Sequence, residues 1–275
     1  STAKVKGIVN DAISKQNETL HTIGKNSGLT NWSAGTKAAP GLQTLIEGTA
    51  ANKTKLAAGN NVTISNLAHN DIDTNVTSGS FGIVGVNVSV GNTSVKDELG
   101  VNINNAAISG KNIDVTSLID GTLENTAQQA SGSVAEVNVG VSKTTHSGSN
   151  QINIVGSSLR AAGKDLDKHL LNNDYKVTIT AGNDSLVKNE ALAVSIAGVA
   201  GGGLHSVAKD AVAVGINIGA GTMNSDGSIK TTTSGSQNIM QGSRRVALKA
   251  YNNPEVSSKA SAVSVSVLTG AGTIA

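Results

Sequence analysis

The sequence predicts an all-β fold: a right-handed parallel β-helix (solenoid) with a small N-terminal helical element. Three observations predict it. Runs of β-branched residues alternate with small or polar ones at Ile83–Val90 (IVGVNVSV), Val134–Val141 (VAEVNVGV), Val194–Ala220 and Val263–Leu268 (VSVSVL). Related segments recur at one offset, since Val62 to Ile113, Ile83 to Val134 and Ile103 to Ile154 are each 51 residues apart; such self-similarity marks stacked repeats. Aromatic residues make up 1% of the 275-residue chain (Trp32, Phe81, Tyr175 and Tyr251), whereas glycines number 32. Without bulky aromatics to fill irregular space, a core of Val, Ile, Leu and Ala has to be narrow and layered. A compact antiparallel sandwich of about seven strands is the alternative. The repeated offset and the scarcity of aromatics favour the solenoid.

Residues 1–57 stand apart as a helical insertion or decorating element. Val5, Ile8, Val9, Ala12, Ile13, Leu20 and Ile23 keep a helical period, with Lys4, Asp11, Lys15 and Glu18 on the other face. A helix ending near Gly24 follows from this, then a loop punctuated by Gly28, Gly35, Pro40 and Gly41. Leu42, Leu45, Ile46, Ala50 and Leu56 suggest a second helix. The expected β-helix occupies residues 58–275. Its first unit holds Asn61–Ser65, Ile83–Val90 and Val101–Asn104; its second holds Ile113–Ser117, Val134–Val141 and Ile152–Val155.

The third unit holds Val177–Thr180, Val194–Gly198 and Gly215–Gly219; the fourth holds Val246–Ala250 and Val263–Leu268. From the first strand to the second is 21 residues in the first two units (Val62 to Ile83, Ile113 to Val134) but 17 in the last two (Val177 to Val194, Val246 to Val263). Connections of changing length between constant strands are how solenoids accept insertions. Longer insertions are expected near 159–175, with a short helix turning Leu166, Leu170 and Leu171 inward, and near 222–243, as a projecting loop or short hairpin. Coils of roughly 20–30 residues would put about two in each unit. Asn102, Asn153 and Asn217 recur between apolar neighbours and should form a ladder. The first and last residues, Ser1 and the strand-like Thr269–Ala275, read as the cut ends of a piece of a longer protein.

Composition narrows the function classes. Net charge is +2 and 15% of residues are charged, with no basic stripe and few stacking aromatics, so a nucleic-acid surface is not expected. Without cysteine, disulfides and thiolate chemistry are excluded. The longest apolar region, Ala191–Ala220, contains His205, Lys209 and Asp210 and does not read as a membrane-spanning helix. Gly198–Gly203 (GVAGGG) lacks the Lys-Ser/Thr of a phosphate loop and reads as a coil corner. The carboxylate pairs Asp71/Asp73, Asp97/Glu98 and Asp165/Asp167 are candidates for acid–base work or calcium. Only Arg160, Arg244 and Arg245 are present to grip an acidic sugar. The histidines His21, His69, His146, His169 and His205 share no ligand spacing and read as surface or turn residues. No catalytic, cofactor or metal residue is assigned, and the binding residues stay unassigned. Eight N-x-S/T sequons, including Asn87 and Asn183, are close to what this Asn-, Ser- and Thr-rich composition yields by chance.

The units SLVKNEALAVSIAGVAGGGLHSVAKDAVAVGINIGAG and VSSKASAVSVSVLTGAG resemble the passenger repeats of type V secreted filamentous adhesins and haemagglutinins of Gram-negative bacteria, including the fusobacterial leukotoxin-like group. The resemblance covers residues 58–275 and carries no individual site residue. It implies a secreted or cell-surface filament whose stiff β-helical shaft presents host-binding elements. Its implied partners are a host surface protein or glycan and an outer-membrane translocator. Open coil ends add weak self-association. Two alternatives are a polysaccharide-active β-helix enzyme and a leukotoxin segment acting on host membranes.

Overall fold

The computed structural model describes residues 41–161, 175–219, 221–223, 229–231, 238–242 and 245–274, all within the unit Pro40–Ala275. Among them every regular element is a β-strand. Among the described residues the stack opens with β1 (Gln43–Glu47) and β2 (Thr54–Ala57). The first full rung comprises β3 (Val62–His69), β4 (Ile72–Asn104) and β5 (Ala106–Gly110). The second comprises β6 (Ile113–Val155) and β7 (Ser158–Ala161). The third comprises β8 (Lys176–Gly219), β9 (Gly221–Met223), β10 (Ile229–Thr231) and β11 (Ile239–Gly242). A fourth begins with β12 (Arg245–Asn252) and β13 (Glu255–Ile274).

Each rung lies parallel to the next and in register with it. β3 and β4 pair with β6 at an offset of 51, and β5 pairs with β7 at the same offset. β6 pairs with β8 at 64, and β8 pairs with β12 and β13 at 69. This is a stack of parallel circuits, compatible with a β-helix. The strand β6, 43 residues long, would span about 140 Å if straight; instead it folds back once. Asn125 donates to the carbonyl of Lys143 at 3.0 Å and Asn150 to that of Ser117 at 2.7 Å, so the outgoing and returning halves face each other. The bend falls at Val134, where the ladder skips one residue per rung: Ile83, Val134 and Gly198. At the other end β2, β5, β7 and β11 form a short second sheet that closes the base.

Side-chain size sorts along this wedge. Rows of large apolar residues fill the wide base: Val62–Ile113–Val177, Ile64–Val115–Ile179, Val101–Ile152–Ile216 and Ile108–Leu159. Ile113, Val115, Ile152, Leu159 and Ile179 are fully buried. On the outgoing face next to the bend the inward positions shrink to Ser131, Ser133, Ala193, Ser195 and Ala197, which lets the converging sheets approach. Asparagine ladders brace the rungs. Asn217 donates to Asn153 and Asn153 to Asn102, both at 2.8 Å, as expected from the recurrence of these residues. The corner between the returning face and the base needs a left-handed residue, supplied by Asn105 (φ 49°) in one rung and Gly156 (φ 58°) in the next.

Several expectations are corrected. Residues 42–56 are not a second helix: β1 pairs with β4 and β2 with β5, and burial along β1 alternates with period two. The open edges of β4 and β5 offer ladder hydrogen bonds, and tertiary pairing of this kind overrides a weak helical period. Among the described residues strand structure therefore begins at Gln43, before residue 58. Each unit is one long rung and not two coils, because Val62 pairs with Ile113 and no two segments within a unit pair in parallel. The apparent shortening from 21 to 17 residues was a misalignment. Val194 sits beside Ala130, and the equivalent of Val134 is Gly198, 21 residues after Val177. The faces thus keep their length, and the added residues enter around the base. Leu159 belongs to β7, so the first insertion starts after Ala161. Its expected short helix lies outside the described residues, as does the helix expected before Gly24. In the second insertion β9 and β10 form an antiparallel pair, the expected hairpin, while β11 returns to the base beside β7.

Candidate functional site

Midway along the wedge the alternation places three ionisable side chains on the inside of successive rungs: Asp97 on β4, His146 on β6 and Asp210 on β8. His146 and Asp210 are register neighbours. His146 Nε2 lies 2.9 Å from Asp97 Oδ2, and Nδ1 lies 2.6 Å from Asp210 Oδ2. The side chains of His146 and Asp210 are each 1% exposed and that of Asp97 13%. Both ring nitrogens face carboxylate oxygens, which only accept, so the arrangement calls for a doubly protonated imidazolium. Burial alone pulls the His146 pKa down; the hydrogen bonds and charges of Asp97 and Asp210 outweigh it, and the net shift is upward. Outer partners complete the column. Asn70 Nδ2 donates to both Asp97 oxygens, at 3.0 and 2.8 Å, and the Val212 amide and Asn183 Nδ2 each donate to Asp210 Oδ1 at 3.2 Å. Room for it comes from two left-handed glycines, Gly121 (φ 118°) and Gly148 (φ 129°). A Cβ on Gly148 would meet the Asp97 carbonyl oxygen at 1.8 Å.

His146 is thus an interior residue, correcting its reading as a surface position. No ligand spacing reveals it, but His146 and Asp210 are separated by 64 residues, the rung offset itself. His69 and His205 are exposed, as expected. His69 bridges Asp120 at 2.6 Å and Asp71 at 3.0 Å, and these bonds, that to Asp120 foremost, raise its pKa. Asp97 and Glu98 are successive strand residues on opposite faces: Asp97 bonds His146 inside, while Glu98 pairs with Lys96. They do not converge as an acid–base pair. Asp71 and Asp73 are both exposed; Asp71 also accepts from the Thr122 amide at 3.0 Å. Asp165, Asp167, His21, His169 and Arg244 lie outside the described residues. Among the described residues no three His, Asp or Glu side chains are placed to hold a metal ion. Of the glycine run, only Gly198 is at the bend; Gly201, Gly202 and Gly203 pair within the ladder. Two sequon asparagines are buried: Asn87 donates to Asn138, and Asn183 to Asn252.

The bend itself is the second feature. Here the usual polarity of a sheet is inverted. Inward positions carry Ser131, Ser133, Glu136 and Asn138, all buried, with Asn138 donating to Ser131 across the wedge at 3.2 Å. Burial raises the Glu136 pKa, partly offset by its hydrogen bond from Asn138. Outward positions carry apolar side chains in every rung: Phe81, Ile83 and Val84, then Val134, then Val194 and Ile196, then Val263 and Val265. Their exposure runs from 42% at Val194 to 80% at Phe81.

No protein family model, no curated protein and no solved structure matches the chain.

What the two features can do follows from their chemistry. The column ties three rungs together through buried charge. The bend offers a ridge of uncovered apolar side chains on a well-paired backbone, a surface for contact.

Proposed function

We propose that residues 41–274 form a shaft segment of a secreted or surface-exposed filamentous adhesin of a Gram-negative bacterium. In this reading the stack is a right-handed β-helix, the hand that parallel crossovers adopt almost without exception. The observation that supports it best is the in-register parallel pairing carried from rung to rung at offsets of 51, 64 and 69, with the extra residues entering around the base. Such a scaffold adds length without new folding rules, since each rung templates its neighbour. It stays stiff because every added rung extends the same hydrogen-bonded ladders. Insertions at the base vary freely and are suited to presenting contacts to a host protein or glycan. The likeness of its repeats to adhesin passenger repeats, read from the sequence, agrees with this role. The role is mechanical and presentational, and needs no catalytic centre.

The test is adhesion. Beads carrying the chain are applied to host cells and to a glycan array, with beads carrying an unfolded Val115→Asp variant as control. Binding by the native chain alone supports the proposal. Absence of binding together with release of reducing or unsaturated sugar ends from a polysaccharide panel would replace it with the enzyme alternative.

A further inference from the structure

We propose that the apolar bend of the wedge is a docking surface for an anionic lipid bilayer. The inference stands on the geometry of the bend and does not depend on the adhesin reading. The outward positions form a ridge that continues across four rungs, through Phe81, Ile83, Val134, Ile196 and Val265, each at least 63% exposed. No outward residue from Asn75 to Asn92 in the first rung, from Thr126 to Val141 in the second, or from Ser261 to Val265 in the fourth carries a charge. In the third rung the same zone, Leu192 to Gly203, is uncharged, with His205 at its margin.

Charge returns at the margins, and it is unequal on the two faces. On the outgoing face the lysines are matched, Lys188 to Glu124 at 2.9 Å and Lys259 to Glu190 at 3.2 Å. On the returning face Lys143 comes two residues after Val141 and Lys209 lies one rung away. Both are exposed, and neither enters an ion pair among the described residues. An apolar ridge bordered on one side by free lysines matches the layering of an anionic bilayer, with acyl chains at the ridge and headgroups at the lysines. The backbone is ready for that environment. In the second and third rungs the residues flanking the bend are paired on both sides, so few amide groups would be stripped of water unsatisfied. The ridge side chains point away from a protein partner: they are Val, Ile and one Phe, and lack the Trp, Tyr and Arg anchors that dominate protein interfaces. A bilayer needs only apolar area and cations.

The experiment uses the whole chain in co-sedimentation with vesicles of phosphatidylcholine alone and of phosphatidylcholine with about one third phosphatidylserine. The chain is expected to pellet with the anionic vesicles and to be released by high salt. Phe81→Ser/Ile196→Ser/Val265→Ser should lower the partition coefficient about tenfold or more, and Lys143→Glu/Lys209→Glu, which changes the charge by four units, about a hundredfold or more, for anionic vesicles. Both variants should keep the circular dichroism and urea midpoint of the parent, because the altered side chains are outside the core. The proposal is overturned if the parent does not bind anionic vesicles, or if the ridge variant binds them as well as the parent. It is also overturned if the parent self-associates without lipid and the ridge variant does not, with neither pelleting; a second copy would then be the occupant.

Discussion

Replacing His146 with leucine tests the buried column at its centre. The substitution removes the sole side-chain partner of Asp210 Oδ2 among the described residues and leaves Oδ1 with the Val212 amide and Asn183. Asp97 keeps the paired donation from Asn70. Removing one partner of a buried ion pair typically costs about 3–5 kcal/mol. Because Asp97 and half of Asp210 stay hydrogen-bonded, the lower end, about 3 kcal/mol, is expected near pH 6. Adding Asp210→Asn should recover part of that loss, because no carboxylate is then stranded. The pH dependence has a definite sign. The folded-state pKa of His146 is raised, so its contribution is complete below the unfolded value of about 6.5 and is lost as pH rises through the folded value. The parent should therefore lose stability relative to His146→Leu from about pH 6.5 upward, and the gap between them should narrow. Urea unfolding followed by circular dichroism across pH 6 to 9 measures this. A loss below about 1 kcal/mol at pH 6, the range of an exposed pair, or a gap that widens with pH, would refute the imidazolium assignment.

Four further outcomes follow. Gly148→Ala should destabilise by at least about 1–3 kcal/mol from backbone strain alone, with the Asp97 carbonyl blocking the new Cβ; a urea midpoint unchanged from the parent would contradict it. Asn153→Ala breaks the ladder between Asn102 and Asn217 and should cost about 2 kcal/mol for two buried hydrogen bonds, read from the same urea curves. Ile154→Ala, stacked between Ile103 and Ile218 and fully buried, should cost about 2–5 kcal/mol. Phe81→Ser, at the exposed bend, should change stability by no more than about 0.5 kcal/mol; a large loss would mean that the ridge is covered within the folded chain.

Much of the architecture was legible because stacking writes itself into a repeat. The 51-residue offset read from Val62, Ile83 and Ile103 is the rung register at Val62 and Ile103, and the asparagine recurrence is a hydrogen-bonded ladder. What stayed hidden was how each unit closes. A repeat gives the distance to the next equivalent residue, not the number of circuits within it. The partners that show a single fold-back, Asn125 with Lys143 and Gln129 with the carbonyl of Val139, meet across the wedge at separations that vary with depth. Val194 was misaligned because β-branched residues flank the bend on both sides, so the pattern does not mark the bend itself. β1 and β2 were missed because their strand state comes from the edges of β4 and β5 that they cover. His146 was misplaced because a polar residue inside a strand looks like a surface residue until its partner is found one rung away.

The stacking of single long rungs is tested most directly by engineered disulfides, for which the cysteine-free chain is a clean background. Asn92 and Lys143 are register neighbours on adjacent rungs and both exposed. Adjacent parallel strands lie about 4.8 Å apart, within the Cα separation a disulfide accepts. Asn92→Cys/Lys143→Cys should therefore oxidise fully to an intramolecular bridge with the fold intact. Asn92→Cys/Thr116→Cys, spaced for a coil of half that length, should not. Bridging of the second pair in place of the first would contradict the one-rung-per-repeat stack.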